Sequence, residues 1–405
     1  MYGRSYDIHK IIANEPLRSF LTILVLLLCG LGIGLGMVCV ELIKVPAGWQ
    51  SCAQIPYRIA FLATMPLRFV LKPGVGNGYL CSFICGTALP FMAFAVYKVK
   101  SFIGRRSRDA DRRGGEEALS RRHFLQRAAS GAAFAGMGGL AVEGALLEPQ
   151  RLRIREYTVP VSGLPQALDG LRIAHISDTH YGPFVSLAFL RSVVAQANAL
   201  HPDLIVLTGD YVHKTERAIA DGVALFQNLE SRLGIAAVLG NHDHWESTAE
   251  CEAAFRKIGV PLIDNRRLFL SSEGLRENGR SGECIGSAGA GDLWTDEVLL
   301  RQALSEVPGE MPRLLLSHNP DVAELPDIRG HRIDLMLSGH THGGQVALPF
   351  LGTPIVPSQY GQKYSGGLVH GPACPVLVSR GVGMALLPVR IGVPPEMGLL
   401  VLRKA

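Results

Sequence analysis

A chain of 405 residues, 48% hydrophobic with a mean hydropathy of +0.22, can hold one large domain plus an apolar appendage. A net charge of only +5 and 7% aromatics, with no basic face interleaved with rings, exclude nucleic-acid binding. Eight cysteines show no CxxC spacing, and Cys251, Cys284 and Cys374 make an odd number after residue 150, which excludes a disulfide scaffold.

In chain order, residues 1–100 read as a membrane region. Phe20 to Val40 is apolar and free of charge until its end, long enough to span a bilayer, and its Gly30, Gly32, Gly34 and Gly36 allow close helix packing. Ile55–Leu71 carries Arg58 and Arg68 and reads as an interfacial segment. Tyr79 to Val99 is a second span, kinked at Pro90. Residues 101–127 form a basic linker with Arg105, Arg106, Arg108, Arg112 and Arg113, which the positive-inside rule places in the cytoplasm. Ser120-Arg121-Arg122-His123-Phe124-Leu125 then precedes an Ala/Gly-rich apolar stretch in 128–150. This resembles a twin-arginine export signal retained as a third anchor, with no convincing A-x-A cleavage site. The expected location is a bacterial inner (cytoplasmic) membrane, multi-pass, with the domain 151–405 on the periplasmic side. The twin-arginine translocation machinery is then an expected partner.

The domain opens with an edge strand over Ile154–Val161. Five short apolar runs follow, each stopping at a polar ending: Leu171 to Asp178-Thr179-His180, Leu204 to Gly209-Asp210, Ile235 to Asn241-His242-Asp243, Leu314 to His318, and Ile333 to His340-Thr341-His342. Runs of this length read as buried strands. Stretches with apolar residues at three- and four-residue spacing predict helices over Val185–Leu200, Ala218–Arg232, Thr248–Ile258 and Asp296–Leu304. Strand–helix alternation predicts an α/β fold with parallel pairs. Ser271–Gly291, rich in Gly, Ser and charge, reads as a surface loop, and Val376–Ser379 as a further strand.

Ligands gather at the carboxyl ends of strands in α/β folds. The five endings bring Asp178, His180, Asp210, Asn241, His318, His340 and His342 to one edge. Carboxylate, amide oxygen and imidazole suit first-row divalent metals, and seven donors exceed one ion's need. The set predicts a two-metal site. A satisfied core histidine accounts for any one ending alone; it does not account for five in this order.

The order Asp-x-His, Gly-Asp, Gly-Asn-His-Asp, His, Gly-His-x-His resembles the calcineurin-like metallophosphoesterase family, over about Arg153 to the C-terminus. Leu171 to His180, the His201–Val212 segment and the tail Ser379-Arg380-Gly381-Val382-Gly383 with Pro394-Pro395-Glu396 resemble its membrane-anchored bacterial branch. The resemblance implies a double β-sandwich flanked by helices, in four layers. It implies one divalent ion on Asp178, His180, Asp210 and His342, and another on Asp210, Asn241, His318 and His340, with Asp210 bridging. The metals, Mn, Fe or Zn, would activate hydroxide for attack on phosphorus. His242 matches the family's catalytic histidine, the proton donor to the leaving oxygen. Where several family members carry an Asp that orients this histidine, the chain has His213, followed by Lys214. These two and His244 are candidates for contacting substrate or supporting the ligands. His175, His201, His331 and His370 read as structural.

The expected function is a membrane-anchored dinuclear-metal phosphohydrolase that cleaves phosphomonoester, phosphodiester or pyrophosphate bonds of a lipid-linked or envelope substrate. Two rivals stand beside it. One is hydrolysis of UDP-diacylglucosamine in lipid A synthesis, a substrate on the cytoplasmic side. The other is a metal-binding membrane module without turnover.

Overall fold

The apolar runs between Arg153 and the C-terminus pair side by side into two sheets, and their order puts the ligand-bearing strands next to one another. The computed structural model describes residues 143–405 except 214, 215, 348, 351, 386 and 387. The chain divides between Ala141 and Val142, and only the second unit falls among the described residues. The spans over 20–40 and 79–99, the linker 101–127 and the segment 128–142 lie outside them. Among the described residues no helix is long and apolar enough to cross a membrane.

The first sheet has the order β1-β12-β2-β3-β4, built from β1 (Arg153–Val161), β2 (Arg172–Ile176), β3 (Leu204–Thr208), β4 (Ile235–Val238) and β12 (Glu396–Lys404). Strands β2, β3 and β4 run parallel, so their carboxyl ends share one edge. The second sheet has the order β10-β11-β9-β8-β7-β5-β6. It comprises β5 (Arg267–Ser271), β6 (Gly274–Arg276), β7 (Ile285–Gly289), β8 (Arg313–Leu316), β9 (Leu335–Ser338), β10 (Gly367–His370) and β11 (Pro375–Val378). Its centre, β7 to β11, is parallel.

The two sheets share one apolar core. Ile173, Leu204, Val206, Ala236 and Val238 of the first pack with Leu270, Leu314, Leu316, Leu335 and Leu337 of the second. Every residue of β3 is buried, so its other face is covered too. Helices α1 (Leu187–Ala199), α2 (Ile219–Ala224) and α3 (Asn241–Lys257) link or follow β2, β3 and β4, which is how parallel strands are joined. Outside the second sheet, Leu300, Ala303, Val322, Ala323 and Ile328 pack on Leu315, Met336 and Val376. The architecture is the expected mixed α/β one.

Three sequence expectations differ from the structure in extent, and a fourth holds. The helix expected over Ala218–Arg232 is α2 plus a 3-10 turn, Leu225–Asn228. The one expected over Thr248–Ile258 is present: α3 is two helices merged at Ser247, whose φ of −176° is extended and whose Oγ accepts the Glu250 N–H, so the second part starts at Thr248. That expected over Asp296–Leu304 shrinks to α4, Leu300–Ala303. The last difference matters most. Ser271–Gly291, read as a surface loop, holds β6 and the fully buried strand β7. Small residues replace the apolar run because the space is tight: a Cβ on Gly289 would overlap Ile263 and Val238.

Candidate metal centre

Three of the five ligand-bearing strands, β2, β3 and β9, end in backbone that an L-residue adopts only under strain. Asp178, His180, Asp210, His340 and His342 all have positive φ, between 44° and 68°. Such backbone persists where the surroundings over-determine it, typically at functional sites. Glycines leave the room needed: a Cβ on Gly240 would overlap the Asp210 carboxylate, and one on Gly339 would overlap Ser177 and Asp178.

Six of the seven predicted ligands converge from both sheets. His180 Nε2 lies 2.9 Å from His342 Nε2 and 3.4 Å from Asp210 Oδ2. His342 Nε2 lies 3.3 Å from Asp178 Oδ1. On the other side of Asp210, the same Oδ2 is 3.2 Å from His318 Nε2, which is 3.1 Å from His340 Nδ1. Two sets of donors thus gather, Asp178–His180–Asp210–His342 and Asp210–His318–His340, with Asp210 in both. Metal–nitrogen bonds of about 2.1 Å set neighbouring donors about 3.0–3.4 Å apart, so this spacing fits ions bound between them. Asn241, at the start of α3, is buried, and its Oδ1 has no hydrogen-bond partner. A buried acceptor with no hydrogen-bond partner suits a cation ligand.

Surrounding bonds orient the donors. His318 Nδ1 is 2.7 Å from the Thr208 carbonyl, so Nδ1–H donates there and Nε2 points at Asp210. Both Asp178 oxygens accept the His340 backbone N–H. Asp210 Oδ1 accepts the His242 N–H at 2.8 Å. Asp243, fully buried, accepts the N–H groups of Asp210, Tyr211 and Gly240 and so ties the β3 ending to the β4 ending. Arg390, also fully buried, donates to the carbonyls of Arg380, Gly381, Gly383 and Val393 and brings Nη2 within 3.4 Å of His342 Nδ1.

Burial and charge set the protonation. Burial drives His340 down to about 3 and holds His180 and His342 well below the usual imidazole range, so they are neutral, the form that binds metal. Burial opposes charge on His318 too, but the Asp210 carboxylate outweighs it and lifts the group to about 10. Burial, reinforced by Asp210, raises Asp178 to about 7.

The remaining candidates fall at different distances. His242 is half-buried beside the first set, its ring 4.8 Å from that of His180. His213 is buried, with Nδ1 3.3 Å from His242 Nδ1, and these two with His180 form a third close group. Lys214 lies outside the described residues. His244 Nδ1 contacts Thr248 Oγ1 within α3 instead of the centre. His175 sits beneath it, bonded to Thr208 Oγ1. His201, His331 and His370 belong to none of the groups.

Two features went unread in the sequence. Asp243 was visible only as the last letter of a motif. Arg390 has no pattern around it, and its role follows from contacts between residues far apart in the chain. The centre also has an aromatic rim: Trp294 lies 4.3 Å from His340, Trp245 lies 4.9 Å from His242, and the two rings are 6.3 Å apart. Trp294 is held by Asp292 Oδ2, which accepts its N–H and that of Thr295. Asp292 follows β7, the strand the sequence hid.

Comparison with known proteins agrees with this arrangement. A calcineurin-like phosphoesterase family model matches residues 171–344. The uncharacterized metallophosphoesterase YkuE of Bacillus subtilis is 33% identical over 302 residues, covering 70% of this chain and 98% of that protein. The phosphodiesterase YaeI of Escherichia coli is 32% identical over 236 residues, 56% of this chain and 81% of the relative. The UDP-2,3-diacylglucosamine pyrophosphatase LpxG of Chlamydia trachomatis is 29% identical over 305 residues, 63% of this chain and 90% of the relative.

Proposed function

The chain belongs to the calcineurin-like phosphoesterase family, a metal-dependent phosphate-ester hydrolase, and from that premise we propose a two-metal reaction and a membrane setting. The observation that carries the reaction is Asp210 Oδ2, 3.4 Å from an imidazole of one donor set and 3.2 Å from an imidazole of the other. Asp178, His180, Asp210 and His342 would hold one divalent ion; Asp210, Asn241, His318 and His340 would hold the second. Such ions supply positive charge to the phosphate oxygens and acidify a water.

The chain's own groups do the rest. Asp210 keeps the two sets in register through the His242 N–H bond and the Asp243 link. His242 donates a proton to the leaving oxygen, which is what makes an alkoxide or phosphate a competent leaving group. His213 contacts the far side of the His242 ring at Nδ1 and fixes its orientation. Substrates of this kind carry a phosphomonoester, phosphodiester or pyrophosphate.

The membrane setting rests on sequence: the apolar runs Phe20–Val40 and Tyr79–Val99, the basic linker and the Arg121-Arg122 segment. It favours a lipid-linked or envelope substrate, with the catalytic domain on the periplasmic side. The relative named UDP-2,3-diacylglucosamine pyrophosphatase favours a second reading, a nucleotide-linked glycolipid on the cytoplasmic side. A topology reporter fused after Val142, with and without Arg121→Lys and Arg122→Lys, separates the two. Signal outside the cytoplasm that disappears in the double variant supports export, and signal inside supports the pyrophosphatase.

The reaction is tested on an aryl phosphodiester with Mn²⁺. Turnover that vanishes in Asp210→Asn supports it. Bound metal without turnover of any aryl mono- or diester overturns it in favour of a non-catalytic binding module.

A further inference from the structure

Trp245 and Trp294 reach the metal centre from different elements, and ring contacts tie each to a different histidine. Trp245 follows His242 by three residues in α3, the spacing that puts two side chains on one face of a helix. Its ring lies 4.9 Å from the His242 imidazole, at 70° to it. Trp294 comes from the segment after β7 and stands 4.3 Å from the His340 imidazole, at 88° to it. The two indoles are 6.3 Å apart, with planes that differ by only 33°. A chain of rings therefore runs from the proton donor to a candidate ligand of the second ion.

Neither indole is buried: Trp245 is 56% exposed and Trp294 is 42% exposed. Trp294 is nonetheless held in place. Asp292, fully buried, uses Oδ2 to accept the Trp294 N–H at 2.9 Å, the Thr295 N–H at 3.0 Å and the Thr295 hydroxyl at 2.8 Å. A large ring whose backbone is fixed and whose surface is partly open is a platform that a ligand covers at little ordering cost. The reaction says which part of the substrate arrives there. His242 protonates the leaving oxygen, so the group on that oxygen departs beside Trp245. Indole surfaces take flat unsaturated rings by offset stacking, and stacking tolerates different ring chemistries.

We propose that Trp245 and Trp294 form a leaving-group subsite that stacks a planar ring, an aryl group or a nucleobase, and so favours phosphate esters that carry one. Its place in the reaction rests on the phosphoesterase reading; binding of the ring does not require turnover.

The test uses the full chain with Trp49→Phe, which leaves Trp245 and Trp294 as the only tryptophans. Matched methyl phosphodiesters are compared with Mn²⁺ present: phenylethyl against cyclohexylethyl, and uridine against dihydrouridine. Within each pair the leaving alcohols differ little in acidity, and one member alone carries a flat ring. For at least one pair, kcat/KM for release of the flat-ring alcohol should be about tenfold the higher, and the pair that responds tells an aryl group from a nucleobase. Trp245→Leu and Trp294→Leu should each bring that ratio toward one; a ratio taken on one preparation does not depend on how much of the variant folds. Non-hydrolysable phosphonates of the same groups are titrated alongside, and the flat members should change tryptophan emission at lower concentration than the saturated ones. Ratios near one in the parent protein, with both members turned over, overturn the subsite and leave the phosphoesterase reading standing. A ratio that persists in either leucine variant overturns the two-ring subsite. With no ester turned over, phosphonate discrimination keeps the subsite and removes the phosphoesterase reading, and its absence overturns both.

Discussion

Of the two donor sets that meet at Asp210, one has two carboxylates and the other has one. The set of Asp178, His180 and His342 is closed in by Arg390 and the loop it ties together. The set of His318 and His340 lies against Trp294 and has Asp210 as its one carboxylate. Ligand charge raises cation affinity, so the first set should hold its ion more tightly and the second should exchange it.

The largest effect should come from the residue common to both halves. Asp210→Asn should remove both ions and lower turnover of an aryl phosphodiester by about 10⁴-fold, since several kcal/mol of charge stabilisation disappear. Metal analysis showing two ions retained would break the claim that the halves share a ligand. His242→Ala should cost about 10³-fold in turnover, within the usual range for a positioned proton donor, with the metal content unchanged. A loss of metal there would place His242 among the ligands.

A pair of variants then separates the halves. Asn241→Ala should weaken one ion's affinity by about 10–100-fold and leave the other in place. Asp178→Asn should instead lower the tighter equivalent. If both variants release the same ion, as read by titration with a metallochromic dye, the asymmetry is wrong.

The smallest effect is a gradual one with pH. Asp178 is raised to about 7 and His318 to about 10, and both must lose a proton to bind metal. A raised value means the proton stays on as pH rises, so metal loading strengthens with pH across that window and weakens below it. One proton released per ion gives about a tenfold change in affinity per pH unit, measurable by calorimetry in buffers of different ionisation enthalpy. Affinity that is flat from about pH 6 to about pH 9 would mean those protons are not displaced.

Much of this centre was legible beforehand because its donors lie at strand ends, where a short apolar run and a polar stop sit together in the sequence. Asp178, His180, Asp210, Asn241, His318, His340 and His342 were all visible that way. Strand β7 was not, because Gly286, Ser287 and Gly289 carry no apolar signature; their smallness suits the close approach of Ile263, Val238 and Val307. Losing β7 also hid Asp292 and with it the anchoring of Trp294. Helix extent was misjudged where apolar spacing runs past the helix itself, as over Asp296–Leu304, of which only Leu300–Ala303 is helical.

By itself the sequence determined the kinds of donor, their order and the alternation of strand and helix, since these are local properties of short runs. Only the tertiary structure decided how closely the donors around Asp210 approach one another, and that Arg390 and Asp243 brace them. Those facts depend on groups brought within a few ångströms from positions as far apart as Asp210 and His318, or His342 and Arg390. Coulomb attraction and hydrogen bonding act at that range in space, and spacing along the chain does not record it.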